Sequence, residues 1–292
     1  MGDRDGVAPR PDPLPLPVVD NHTHLDIRRR DVADAIAPDG GEERTTQDVA
    51  AALASAASVG VDRVVQVGCD LESARFTVDQ VDRHPSMLGA VALHPNGIPA
   101  LAEAGRLQAA WDEIEALAAH PRVRAIGETG LDYFRTGPEG HAVQQESFRW
   151  HIDLAKRTGK ALQIHDRDSH DDVLRILDEE GAPDRTVLHC FSGDIEMARE
   201  CVRRGYLLSF AGTVTFKNAR DLRNALSVVP LDQLLVETDA PYLTPSPHRG
   251  AANAPYLVPL TVRAMAGVLN VDVPTLCENL SATSERTYGP WT

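Results

Sequence analysis

The sequence predicts a (β/α)8 barrel in a single domain, and three observations carry that expectation. Eight short apolar runs alternate in order with longer amphipathic runs. No two apolar runs are joined by a hairpin-like turn. Six of the eight stop at a histidine, glutamate or aspartate. Short runs that are apolar nearly throughout are what a strand buried on both faces looks like in a parallel sheet. Helical segments between them supply the crossovers that parallel strands need.

Taken in order, the strands are expected at 18–25, 61–68, 87–94, 123–128, 161–165, 186–190, 206–211 and 234–238. Helices are expected at 46–59, 72–84, 103–119, 142–158, 169–180, 194–204, 217–228 and 257–270, with a further one at 274–287. Asp194 is placed to cap the N-terminus of its helix, and Gly205 to follow its C-terminus. Residues 28–45, charged and containing glycine and proline, are expected to form a long loop after the first strand. An open doubly wound sheet is the competing architecture. It calls for a glycine-rich phosphate turn after an early strand, and Val67-Gly68-Cys69-Asp70 lacks that pattern.

Composition sets the outer limits. The 292 residues are 42% hydrophobic and 25% charged, enough for a sizeable core. Aromatics make up only 5%, so small aliphatic side chains must fill it. The formal net charge of −14 argues against a broad basic groove for a long duplex. Bound cations could still supply the positive charge that meets a phosphate. Cys69, Cys190, Cys201 and Cys277 form no CxxC pair, so reduced thiols in a cytoplasmic protein are expected. Prolines at 9, 11, 13, 15 and 17 make residues 1–16 a polyproline-like, disordered leader, with the barrel domain spanning 17–292. No signal-peptide core or apolar membrane span is apparent, and a monomer is the default expectation.

In such a barrel the C-terminal strand ends carry the active site. The first strand ends with His22 and His24, which two-residue spacing puts on one side of the strand with Cα atoms ~6.6–6.8 Å apart. That pair alone is equally the mark of two solvated histidines. The other strand ends decide the matter: His94, Glu128 with Asp132 beyond it, His165, His189 and Asp239. Solvated strand ends would show Lys, Ser, Asn and Thr as often, so the set points to a metal site. His84 and His120 read instead as helix C-terminal caps, and His141, His151 and His170 as helix residues. Arg167 and Lys217, near the ends of the fifth and seventh strands, are candidate phosphate contacts or ordinary rim charges. Tyr133 and Phe134 read as rim packing, with base stacking as the other option.

Five blocks resemble the TatD-related deoxyribonuclease family. They are Asp20-Asn21-His22-Thr23-His24-Leu25-Asp26, Ile126-Gly127-Glu128-Thr129-Gly130-Leu131-Asp132-Tyr133, Ile164-His165-Asp166-Arg167, His189-Cys190-Phe191-Ser192-Gly193 and Glu237-Thr238-Asp239-Ala240-Pro241-Tyr242. They run in the family's order over nearly the whole chain. The resemblance implies an amidohydrolase-like barrel with one or two divalent cations and a 3′–5′ exonuclease activity on DNA. It implies His22, His24 and Asp239 as ligands of a first metal, His165 and His189 as ligands of a second, and Glu128 between them. Glu128 and Asp239 would carry the catalysis, and His94 and Asp132 match accessory positions. Single-stranded DNA is the implied substrate and Mg2+ the implied metal, although four imidazoles suit Zn2+, Mn2+ or Fe2+ better.

The chain also departs from the family. A common Arg-Gly-Lys-Arg-Asn-Glu-Pro segment reads Arg249-Gly250-Ala251-Ala252-Asn253-Ala254-Pro255 here, which keeps Arg249 but loses two positive charges. Asn96 stands where a second histidine is frequent. These changes keep open an amidohydrolase-like enzyme acting on a small ester or amide. A barrel kept only as a binding scaffold would show missing ligands, and none is missing.

Overall fold

A computed structural model describes residues 7–27 and 49–291. Its centre is one parallel sheet of eight strands in sequence order: β1 (Val18–Thr23), β2 (Val61–Gly68), β3 (Met87–Val91), β4 (Val123–Asp132), β5 (Ala161–Arg167), β6 (Thr186–Leu188), β7 (Leu207–Phe210) and β8 (Leu234–Val236). Neighbours pair from β1 through to β8. The barrel closes between β8 and β1 through a bridge from Thr23 to Ala240 and through main-chain bonds from Asp239 N to His22 O at 2.9 Å and from His24 N to Ala240 O at 2.8 Å. Asn21 adds a side-chain bond to Val236 O. The predicted fold class stands.

The helices around it are α1 (Val49–Ala57), α2 (Leu71–Arg83), α3 (Ile98–Glu103), α4 (Leu107–Ala118), α5 (Pro138–Thr158), α6 (His170–Glu180), α7 (Ile195–Arg203), α8 (Arg220–Leu226), α9 (Val258–Leu269) and α10 (Val273–Tyr288). Asp194 caps α7 by accepting from Met197 N, and Gly205 follows with φ +76°. The short α3 was not foreseen. α5 begins at Pro138, four residues before the expected start, where proline's missing N–H costs nothing. Among the described residues no single helix is long and apolar enough to cross a membrane.

Alternate strand residues sort into two apolar clusters, as a two-residue side-chain period requires. Val18, Val123, Leu162, Ile164 and Leu188 join the layer shared with the helices. Val19, Val65, Ala125 and Ala161 join a second cluster with Tyr288 and Trp291, from and beyond α10. Small side chains in the second cluster fit the narrow interior that an eight-strand barrel leaves.

Two expectations need correction. Residues 7–16 are not a loose leader: Ala8 and Leu14 are buried, Leu14 N donates to Val59 O, Tyr256 donates to Ala8 O and Arg263 donates to Asp12 O and Pro13 O. Apolar side chains between the prolines made that docking possible, and the proline pattern alone did not register them. The remainder of the leader (1–6) and the whole of the expected 28–45 loop lie outside the described residues. β4 also runs four residues past Glu128, paired to β5 through Gly130, Leu131 and Asp132. Gly130 sits at φ +141°, where a Cβ would collide with the His165 carbonyl oxygen, so only glycine lets the two strands stay in contact here.

Candidate metal centre

The C-terminal strand ends gather all six predicted ligands. His22 lies in β1 and His24 just past it, Glu128 in β4, His165 in β5, His189 just past β6 and Asp239 just past β8. Glu128 is buried at the middle of the group, with its two oxygens facing different partners.

On one side, the Nε2 atoms of His22 and His24 are 3.2 Å apart. Glu128 Oε2 lies 3.5 Å from His22 Nε2 and 3.9 Å from His24 Nε2. Asp239 Oδ1 lies 3.9 Å and 3.5 Å from the same two nitrogens. Donor atoms on a tetrahedral cation with bonds of ~2.1 Å stand ~3.4 Å apart. The five distances bracket that value, and His22, His24 and Glu128 form a group that could hold a cation.

On the other side, Glu128 Oε1 lies 2.6 Å from His165 Nδ1, 2.8 Å from His189 Nε2 and 3.4 Å from His94 Nε2. His94, Glu128 and His165 form a second group spaced to hold an ion. His94, assigned to an accessory position from sequence, thus stands among the donors themselves. Asp132 accepts from His165 Nε2 at 3.1 Å and from Asn96 at 3.2 Å, so it acts on the centre through His165.

The ring orientations are fixed from behind. His24 donates its Nδ1–H to Val67 O, an oxygen that can only accept, which turns Nε2 toward the site. His189 donates Nδ1–H to Glu237 Oε1 at 3.1 Å, which also accepts from Cys190 N at 2.8 Å. The His22 and His189 rings stack with centroids 3.9 Å apart, so the turn of one constrains the other. Asp20 binds Thr238 twice, through its N–H and its hydroxyl, and so holds the turn that presents Asp239 at φ +54°. A non-glycine residue in that region costs of order 1 kcal/mol, and the surrounding bonds must hold it there.

Electrostatics follow from this packing. Burial pushes the Glu128 carboxyl up, but His189, His94 and His165 outweigh it and hold the group well below the carboxylate range. Burial, with the charge of His189, brings His22 down to about 4, so this imidazole is neutral and available as a donor. His165 resists burial because Asp132 and Glu128 accept from it, and it rises to about 9. Any cation there must displace a proton.

The other predicted residues fall around the rim. Arg167 lies over the Phe134 ring at 4.0 Å, and Arg249 over the Phe216 ring at 4.0 Å. Lys217 lines a separate cleft beyond β7, outside the donor cluster. Tyr133 packs against His141 and donates to Asp172, whereas Phe134 is 62% exposed. The remaining histidines do other work: His84 ends α2, His120 pairs with Asp82, His151 accepts from Leu93 N, and His170 pairs with Asp166. The residue missed from sequence is Glu237, whose signal was a carboxylate closing an otherwise apolar run.

The sequence model described as TatD related DNase matches residues 19–289. An uncharacterized metal-dependent hydrolase, TatD, from Mycobacterium tuberculosis is 48% identical over 277 residues, covering 93% of this chain and 98% of that protein. The uncharacterized metal-dependent hydrolase YcfH of Escherichia coli K12 is 38% identical over 264 residues, covering 89% and 91%. Among solved structures, the TatD homolog YJJV from Escherichia coli K12 superposes with a TM-score of 0.81 at 24% identity, covering 94% of this chain and 98% of that one.

Proposed function

Since this chain belongs to the TatD-related DNase family, we propose that it is a metal-dependent hydrolase that removes nucleotides from the 3′ end of single-stranded DNA. The observation that carries the proposal is Glu128, buried with one oxygen toward His22 and His24 and the other toward His165 and His189. A carboxylate so placed can serve two cations at once. His22, His24 and Asp239 would hold one cation, and His165 and His189 the other, with His94 beside it.

Divalent cations held by these residues would supply positive charge for the phosphoryl oxygens and would acidify water. The rest falls to side chains. Asp239, partly open at 15% side-chain exposure, accepts the proton of the attacking water. Val67 O and Glu237 keep the His24 and His189 rings from rotating during turnover. Arg167 and Arg249 meet the phosphates of the bound strand, and Asp132 holds His165 in place. The imidazole-rich donor set favours a transition ion over Mg2+ in the purified protein, and elemental analysis would identify it.

The test is hydrolysis of 3′-labelled single-stranded DNA with Mg2+ or Mn2+, comparing the wild type with Glu128→Ala and Asp239→Asn. Both variants should lose at least ~100-fold in rate. Equal cleavage by all three would assign the activity to a contaminant. A second reading rests on Ala251, Ala252 and Ala254 in the rim segment: a site that hydrolyses a small ester or amide. Turnover of such esters with intact DNA would favour it.

A further inference from the structure

Two phenylalanines beyond C-terminal strand ends each carry an arginine on the ring, Phe134 exposed and Phe216 half-buried. Phe134 follows the end of β4, and the guanidinium of Arg167, at the end of β5, lies 4.0 Å from its ring centre. Phe216 follows β7, and the guanidinium of Arg249, beyond β8, lies 4.0 Å from its ring centre. A guanidinium covers one face of a ring and leaves the other for a flat partner. Both pairs come from C-terminal strand ends, one at β4 and β5 and the other beyond β7 and β8, with β6 and His189 between them in the barrel order.

Each ring is held by the structure beneath it. Tyr133 N donates to Arg167 O, and Asp132 and Arg167 are directly paired across β4 and β5. Phe134 sits in the turn that follows this paired strand end, two residues past Asp132, and it is 62% exposed. A large apolar side chain so exposed is covered by Arg167 and is otherwise largely open to solvent. On the other sector, Arg223 donates to the carbonyls of Val214, Phe216 and Lys217, and Ser246 N donates to Thr215 Oγ1. These bonds shape a cleft of about 400 Å³ lined by Phe216, Lys217, Arg223 and Arg263. That volume falls in the range of small-ligand sites, about 300–1,000 Å³.

The charges match the rings. Arg149, Arg157, Arg175 and Arg204 are all engaged by carboxylates. In a chain of net charge −14, the rim arginines are placed over aromatic rings instead. Aromatic faces with adjacent positive charge are how unpaired nucleic acid is gripped without regard to sequence: bases stack and phosphates pair.

We propose that Phe134 and Phe216, each backed by its arginine, are base-stacking platforms on either side of the metal centre, which hold an unpaired strand across the barrel mouth. The inference rests on the single-stranded DNA reading above and extends it. The substrate is an oligonucleotide gripped on both sides of the reacting phosphate, and a base inside a duplex, already stacked on both faces, cannot lie flat on either ring.

The test is fluorescence anisotropy with a labelled phosphorothioate oligothymidylate in Mn2+, beside an oligomer of the same backbone carrying abasic sites. Phe134→Ala and Phe216→Ala should each weaken binding of the base-bearing strand by about 5- to 100-fold, and Phe134→Trp should restore it. Abasic substitution should weaken the wild type but cost the double variant little more. That coupling is one a merely structural role would not produce. Phe216→Leu, which keeps the packing but loses the ring face, guards against a collapsed loop, with thermal unfolding as the folding control. A wild type that cuts DNA while the variants bind both oligomers as it does would overturn the platforms and leave the nuclease reading standing. A wild type that neither cuts nor binds DNA would remove both.

Discussion

Glu237→Gln separates the ligands from what orients them. In the wild type the Glu237 carboxylate is fully buried and accepts from His189 Nδ1 at 3.1 Å and from Cys190 N at 2.8 Å. Its charge, with that of Glu128, keeps the His189 imidazole basic against the burial that opposes it, well above its usual range. Glutamine keeps the shape and an oxygen able to accept, but removes the charge. Removing such a partner behind a metal-bound imidazole costs about 10- to 100-fold in metal affinity, or about 1.4–2.7 kcal/mol. The effect should reach beyond His189, because its ring stacks on His22 at 3.9 Å. Alanine is less informative, since it would leave buried donors without a partner at about 1–3 kcal/mol each. Calorimetric titration of chelator-treated protein with Mn2+ or Zn2+ reads the effect directly. A variant that binds within twofold of the wild type would refute the assignment of Glu237 as the residue that sets His189.

Two further outcomes follow from burial and from metal binding. Burial takes His151 down to about 4, so the folded protein refuses a proton that the unfolded chain accepts near 6.5. Stability is therefore lost as pH falls through the window from about 6.5 to 4, by about 2 kcal/mol between pH 7 and 5. Urea unfolding of His151→Gln should lack that share of the slope, and identical slopes would refute it. Chelation should lower the melting temperature of the metal-loaded protein: saturation at 100 times Kd is worth about 2.7 kcal/mol, or about 4 °C at this chain length. A melting curve unchanged by EDTA would contradict a cation held by buried side chains.

Much of the architecture was legible because it is local. Runs such as Val61–Gly68 declare a doubly buried strand by their own composition, and the structure has β2 at those same bounds. Asp194 and Gly205 mark the ends of α7 through backbone chemistry within a turn of themselves. Positions stopping at His, Glu or Asp could be picked out because parallel strands in one barrel must end on one face. Boundaries were less legible where pairing decides them. β4 continues to Asp132 only because Gly130 lets it lie against His165, a contact made across the sheet.

The amino-acid order by itself determined the barrel and the inventory of donors, because side-chain periodicity is written into short stretches of chain. Tertiary structure alone decided that Asp239 meets His22, since closure of β8 on β1 joins residues from opposite ends of the domain. It also decided that His94 stands beside Glu128, that Glu237 supports His189, and that Arg167 and Arg249 cover phenylalanines. Each of these is a distance between groups far apart along the chain, and no local pattern encodes such a distance.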